Sequence, residues 1–508
     1  MCYKVNSKYN WGKRSTCLAP VTAFTLKGPS FAASLPEAMK PSVSSRQSRH
    51  LSSDKMDIII RNGTLITPGG VFPADVGIVG ERIAALGEGL HGKAELDATG
   101  CYVLPGAIDP HVHLQMPAGN YVSADDFASG TVAAACGGTT TVIDFVEPAD
   151  GETFLSALAA RQAEADDRVA VDYSLHITIP TWHAAHPEVL DGLPEVVATG
   201  APSFKLYLAY ESLRLNDAQL YRVMKAIAAA NGLPIIHCEN GPLCETLRAQ
   251  AVAQGNTSPI YHALTRPPRQ EAEAVSRAID IAALAGSPLY IVHVSCEESM
   301  LRIQAARARG ERVYGETCPQ YLLLNGMALD LPGGERLICS PPLRTKEDNE
   351  ALWGGLAFED LDVLATDHCP FSAADKSGHA DFTTIPGGLP SLEARLSLAY
   401  YFGQRHWMTL ERWVEVCCTN PARIFGLHRK GQIAPGFDAD LVIFDPNRWR
   451  TLQAGKTLHE QVDWTPYEGM PVQGWPRDVL SRGRVVVRDG KFVGEPGWGR
   501  FVPRELGA

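Results

Sequence analysis

His111, His113, Lys205, His237, His293 and Asp367 are the residues of this chain whose types and placement could do chemistry together. Each lies in or follows a short aliphatic or β-branched run: Tyr102-Val103-Leu104 before His111, Ser203 to Tyr207 around Lys205, Pro234 to Ile236 before His237, Leu289 to Val292 before His293, and Leu361 to Thr366 before Asp367. Imidazole nitrogens and a carboxylate are ordinary ligands of a divalent metal ion. A parallel barrel gathers the ends of its strands at one rim, where residues distant in sequence can surround an ion pair. The chemistry open to such a set is metal-assisted hydrolysis.

Taken singly, each signal has a plainer explanation. In an extended chain His111 and His113 point to the same face and can share one ion, yet surface strands also alternate polar residues. A lone His237 or His293 reads equally as a hydrogen-bonded core histidine, and Asp367 as a helix cap. Lys205 discriminates between the readings, because an ammonium is costly to bury in so apolar a stretch unless it snorkels to water. Between two cations its pKa, about 10.4 when unperturbed, falls. The neutral amine then reacts with carbon dioxide to give a carbamate, whose two oxygens can bridge ions roughly 3.5–4 Å apart. Five separate plain explanations would all have to fall at strand ends in barrel order, so the metal reading is preferred.

Three further runs, Thr139 to Phe145, Val171 to Ile177 and Arg312 to Glu316, bring the strand candidates to eight. Helical patterns lie between them, such as Asp217 to Ala230 and Gln270 to Ala285. Alternation of this kind predicts an α/β fold, a (β/α)8 TIM-like barrel over 105–430, with ligands on strands 1, 4, 5, 6 and 8. Residues 56–104 and 431–508 read as short strands separated by Gly and Pro turns. Neither end looks able to form a core alone, so the two are expected to pair into one composite β-sandwich domain.

The first 55 residues hold nine Lys and Arg against two acidic residues, so the remainder carries −18 against −11 for the whole chain. An acidic surface repels phosphate backbones, which argues against nucleic acid as a partner. The basic, Ser-rich stretch 1–55 reads either as an organelle transit peptide or as a mis-assigned translation start before Met56. The second reading is preferred, and disorder is expected there in either case. No uninterrupted apolar run is long enough to span a bilayer, so no membrane partner is expected. The 12 cysteines form no CxxC pair, which fits free thiols in a reducing, cytoplasmic setting.

The run Pro105 to Pro117, with Asp125-Asp126-Phe127 and Gly137-Gly138-Thr139-Thr140, closely resembles the dihydropyrimidinase and D-hydantoinase branch of the cyclic amidohydrolases. So do Ser203-Phe204-Lys205 with Ala209-Tyr210, His237-Cys238-Glu239-Asn240-Gly241, Thr366 to Phe371, and Gly436 to Val442. The resemblance spans about residues 56 to 500. It implies His111, His113 and Asp367 on a first metal ion, His237 and His293 on a second, both Zn2+, with N6-carboxylated Lys205 bridging them. It further implies a bridging water as nucleophile, Asp367 carrying its proton to the leaving ring nitrogen, and Tyr210 stabilising the developing oxyanion. The Ser340 and Gly387 backbones would hold the amide edge of the substrate. Relatives of this branch are commonly tetramers, so a homo-oligomer is expected.

The reaction so implied opens the amide bond of a cyclic imide or ureide, a 5,6-dihydropyrimidine or hydantoin, to an N-carbamoyl amino acid. Dihydroorotase-like relatives carry an arginine two residues after the second histidine, where it grips a substrate carboxylate. This chain has Gln115 there, which favours an uncharged ring. Ala118 stands where relatives often have Phe, and Gly387 where many have Asn, so substrate size stays open. An allantoinase-like hydrolase and a non-catalytic scaffold of the same fold are the alternatives.

Overall fold

A computed structural model describes residues 56–507. The leader expected over 1–55 lies outside the described residues. Eight parallel strands form one sheet in chain order: β1 (Ala107–Asp109), β2 (Thr139–Val146), β3 (Asp172–Thr178), β4 (Ser203–Tyr207), β5 (Leu233–His237), β6 (Leu289–Ile291), β7 (Val313–Thr317) and β8 (Val363–Leu364). The ring is drawn shut beyond the strand ends, where Val112 and His368 form a parallel bridge. There the Thr366 N–H also donates to Asp109 Oδ1 at 3.2 Å. This is the predicted TIM-like barrel.

The helices between the strands follow their local sequence. Asn216 caps the helix Asp217–Ala229 by accepting from the Gln219 N–H, and Gln219 returns a bond to the Asn216 N–H. That helix buries Leu220, Val223, Met224 and Ile227, the three- and four-residue spacing of one face. Pro268–Ala285 ends where Gly286 turns left-handed at φ 68°. No helix among the described residues is long and apolar enough to cross a membrane.

One strand expectation is corrected. The run Tyr102–Pro105 is not the first barrel strand; it pairs antiparallel with Leu441–Thr451 and parallel with Thr64–Thr67 in a separate seven-stranded sheet. The chain changes sheets at Gly106, whose N–H donates to the Asp440 carbonyl while the next N–H donates to Gly138 of the barrel. A Cβ at Gly106 would stand 2.0 Å from Thr140 Oγ1, so only glycine lets the two sheets approach this closely. Apolar content alone cannot say which sheet a four-residue run joins.

The seven-stranded sheet joins four strands from the second chain end to three from the first, edge to edge, and a four-stranded sheet drawn from residues 56–97 packs over it. Ile60, Leu65, Ile78 and Val103 from the first end share a buried cluster with Leu441, Ile443 and Leu480 from the second. The tail beyond these sheets returns to the barrel, where Phe501 bridges to Tyr173 and Arg504 donates to Ser174 Oγ at 2.7 Å.

A buried ionic hub ties the two layers together. Lys430 Nζ lies 2.8 Å from Asp172 on β3 and 3.5 Å from Asp438, and it also holds Asp440. Asp172 accepts a further bond from Arg482 Nε at 3.0 Å. The three carboxylates could in principle gather a cation, but the lysine already fills that role. Lys430→Met would strand buried carboxylates and should destabilise the protein by about 3–5 kcal/mol. Thermal and denaturant unfolding should show the loss, and unchanged stability would contradict this account of the hub.

Candidate metal centre

The six expected ligands, together with Tyr210, Ser340 and Gly387, all line one cavity of about 570 Å³ at the rim of the barrel. His111 Nε2 and His113 Nε2 lie 3.2 and 3.1 Å from Asp367 Oδ1. His237 Nδ1 lies 2.9 Å from His293 Nε2. Lys205 is only 1 % exposed and forms no ion pair among the described residues. Its Nζ sits 5.2 Å from the ring centre of Phe145 and 5.3 Å from that of Tyr207.

The strands place these groups directly. Lys205 is the middle residue of β4 and His237 the last of β5, whereas His111, His113, His293 and Asp367 follow β1, β6 and β8 by a few residues. Three non-glycine residues of the cavity wall take left-handed backbone: His293 at φ 40°, Asp367 at φ 53° and Tyr210 at φ 65°. Such conformations cost non-glycine residues of order 1–3 kcal/mol, and they concentrate at functional sites. Here they turn side chains inward that a continued strand would carry elsewhere.

Carboxylates behind the histidines set which nitrogen faces the cavity. His111 Nδ1 lies 2.7 Å from Glu316 Oε1, and His237 Nε2 lies 2.9 Å from Glu239 Oε2. With those nitrogens donating to carboxylates, His111 Nε2 and His237 Nδ1 present lone pairs to the cavity. The His111 lone pair then meets the Asp367 carboxylate, two electron-rich atoms with no proton between them. A cation satisfies that arrangement, so the donor set fits a metal ion. His111, His113 and Asp367 each bring a ligand atom within 4.8 Å of the others.

The protonation states agree with that fit. Burial holds His113 down to about 4 and keeps His237 and His293 below the usual histidine range, so lone pairs are available at neutral pH. Burial works to raise Asp367, but attraction to the neighbouring imidazoles in their protonated form outweighs it and holds the carboxyl well below the usual range, so Asp367 is already a carboxylate at the pH where His113 gives up its proton. Burial lowers Lys205 to about 8 against the opposing pull of Asp367 and Glu316, which leaves an appreciable fraction of free amine near neutrality.

Comparison with known proteins follows the same line. The sequence pattern of the amidohydrolase family matches residues 102–486. The chain is 44% identical over 459 residues to a D-hydantoinase from Geobacillus stearothermophilus, covering 88% of this chain and 97% of that one. It is 40% identical over 459 residues to a D-phenylhydantoinase from Escherichia coli, covering 89% and 98%. A crystal structure of dihydropyrimidinase from Brevibacillus agri superposes with a TM-score of 0.87 at 43% identity, covering 89% of this chain and all of that chain. The chain belongs to the amidohydrolase family. Within it, the resemblance is to the dihydropyrimidinase and D-hydantoinase branch.

Sequence reasoning about this amidohydrolase missed the carboxylates that orient its histidines. Glu316 accepts from His111, from the His293 N–H at 3.1 Å and from the Tyr290 hydroxyl at 2.8 Å. Glu239 accepts from His237, from Arg266 at 2.7 Å and from Gln270 at 3.0 Å. Both left a sequence signal, since Glu316 closes a strand-like run and Glu239 stands two residues after His237. Glu316→Gln should lower metal affinity or activity by about 10–100-fold while the protein stays folded. Metal titration of the stripped protein, with circular dichroism as the control for folding, would show this; wild-type affinity and activity would argue against an orienting role.

Proposed function

We propose that this amidohydrolase hydrolyses the amide bond of a cyclic imide or ureide, a 5,6-dihydropyrimidine or hydantoin, to an N-carbamoyl amino acid. The observation that carries the reading is the convergence of imidazole nitrogens and the Asp367 carboxylate around a buried lysine that has no ion-pair partner among the described residues. His111, His113 and Asp367 would hold one divalent ion and His237 and His293 another, with carboxylated Lys205 between them. Zinc suits this mixture of imidazole and carboxylate ligands. Bound there, the ions would lower the pKa of water toward about 7 and polarise the ring carbonyl.

The chain's own groups do the rest. Asp367 takes the proton of the attacking water and returns it to the ring nitrogen as the C–N bond breaks. Tyr210 lines the same cavity with its ring 5.2 Å from that of His237. Its hydroxyl donates to the carbonyl oxygen as negative charge builds there. The Ser340 and Gly387 backbones hold the amide edge. Gln115 turns away from the cavity to Glu164 and Arg168, at 3.1 and 3.2 Å, so no cation stands at that position to grip a substrate carboxylate. That favours an uncharged ring. Ala118 lines the cavity and leaves room for a ring substituent.

The ten cysteines among the described residues are all buried and unpaired, which suits a cytoplasmic location. A homotetramer is the assembly that the resemblance supports.

Metal analysis and a panel of dihydrouracil, dihydrothymine, 5-substituted hydantoins, phthalimide and allantoin test the reading. Ring opening of dihydropyrimidines or hydantoins is expected, with two metal ions per chain; activity on allantoin alone, or a metal-loaded protein inert on the whole panel, would refute it. Lys205→Ala should lose turnover and regain part of it with added short-chain carboxylates that replace the carbamate. Because the neutral fraction of the amine grows as pH rises through its pKa of about 8, reconstitution of stripped protein with metal at constant dissolved CO2 should quicken as pH rises from about 7 to about 9. A rate that falls over that interval would count against carboxylation of the lysine.

A further inference from the structure

Lys376 is a second fully buried lysine, and it has no carboxylate partner among the described residues. It lies outside the metal centre. Its Nζ donates a 2.8 Å hydrogen bond to the Ile338 carbonyl and sits 5.7 Å from the ring centre of Trp464. Burying an ammonium with one neutral acceptor costs several kcal/mol, a cost that a methionine of similar length would avoid. The ring of Trp464 offsets only part of that cost, and the one hydrogen bond the amine makes is to the Ile338 carbonyl.

The Ile338 carbonyl is shared. It also accepts the Gly388 N–H at 3.0 Å, so it joins two segments of the cavity wall, 338–340 and 387–388. The two segments are within ordinary van der Waals reach of each other: a Cβ on Gly387 would lie 3.8 Å from Ser340 Oγ and 3.9 Å from Cys339 Cα. One residue along, the Cys339 carbonyl lies 2.9 Å from buried His262 Nε2. The backbone leading into Ser340 is thus pinned at two consecutive carbonyls. Without the lysine, the Ile338 carbonyl would be oriented by the Gly388 bond alone, and the 338–340 segment could turn about that single bond.

We propose that Lys376 is a positioning residue for substrate: through the Ile338 carbonyl it sets the spacing of the Ser340 and Gly387 backbones that grip the ring's amide edge. The inference rests on the reading of Ser340 and Gly387 given above. Lys376 touches neither the ring nor the metal ligands, so its loss should appear in binding and not in the chemical step.

Lys376→Met removes the donor and keeps the bulk; Lys376→Gln keeps a neutral donor on a shorter chain. For the Met variant, KM for the best ring substrate should rise about 10-fold, the scale of one net hydrogen bond. Its kcat should stay within about threefold, its metal content should be unchanged, and its melting temperature should be equal or higher, because a buried amine has been removed. The Gln variant should fall between wild type and Met in KM. An unchanged KM in the Met variant overturns the proposal, as does a loss of bound metal. Failure of both variants to fold would assign the lysine to folding and overturn it as well. A metal-loaded wild type inert on every ring would remove the reading of the cavity beneath it, an outcome distinct from an active wild type whose Met variant binds normally.

Discussion

The electron-rich face of the cavity depends on buried carboxylates behind two of its histidines. Glu316 and Glu239 each occupy one imidazole nitrogen and so commit the other to present a lone pair. Neither carboxylate is itself loose, since Glu316 is tied to Tyr290 and to the His293 backbone, and Glu239 to Arg266 and Gln270. The result is a set of nitrogens and one carboxylate that repel one another unless a positive ion lies among them. Lys205, buried and without an ion pair among the described residues, stands in the same space with an amine that is easily made neutral.

The rest of the molecule holds this frustrated arrangement in place. Asp109, at the end of β1, accepts from the Thr366 backbone and hydroxyl and lies 3.4 Å from Arg395, which binds the first and last strands together just beneath His111 and Asp367. The segment that leads out of the barrel also returns to the rim. Trp464 donates to the Phe371 carbonyl at 2.8 Å, and the Gln461 N–H donates to Asp125, which also holds His368 at 3.0 Å. The loop carrying Asp367 is therefore buttressed from a part of the chain some ninety residues away. The left-handed backbone at His293, Asp367 and Tyr210 is a local cost that the surrounding fold carries.

Much of this was legible before any coordinates. Ala- and Leu-rich segments with three- and four-residue apolar spacing became helices near their expected bounds, because capping and periodicity are local properties: Asn216 and Gly286 mark their helix ends in the sequence itself. The exception among the strands, Tyr102–Pro105, shows the limit. Its burial is strand-like in either sheet, and the choice was made at Gly106 by close passage over Thr140 and by bonds to Asp440, more than three hundred residues away.

From the sequence alone came the alternation of strands and helices, the identity of the polar residues at strand ends, and the oddity of a lysine within an apolar run. These follow from residue type and short-range spacing, which any stretch of chain carries with it. The tertiary structure decided which nitrogen of His111 and His237 faces inward, which carboxylates stand behind them, and how Lys376 and the Gly388 N–H meet on the one Ile338 carbonyl. Those are matters of distance and direction between residues remote in sequence, and they acquire values only when the ring of strands closes and water is driven from between them.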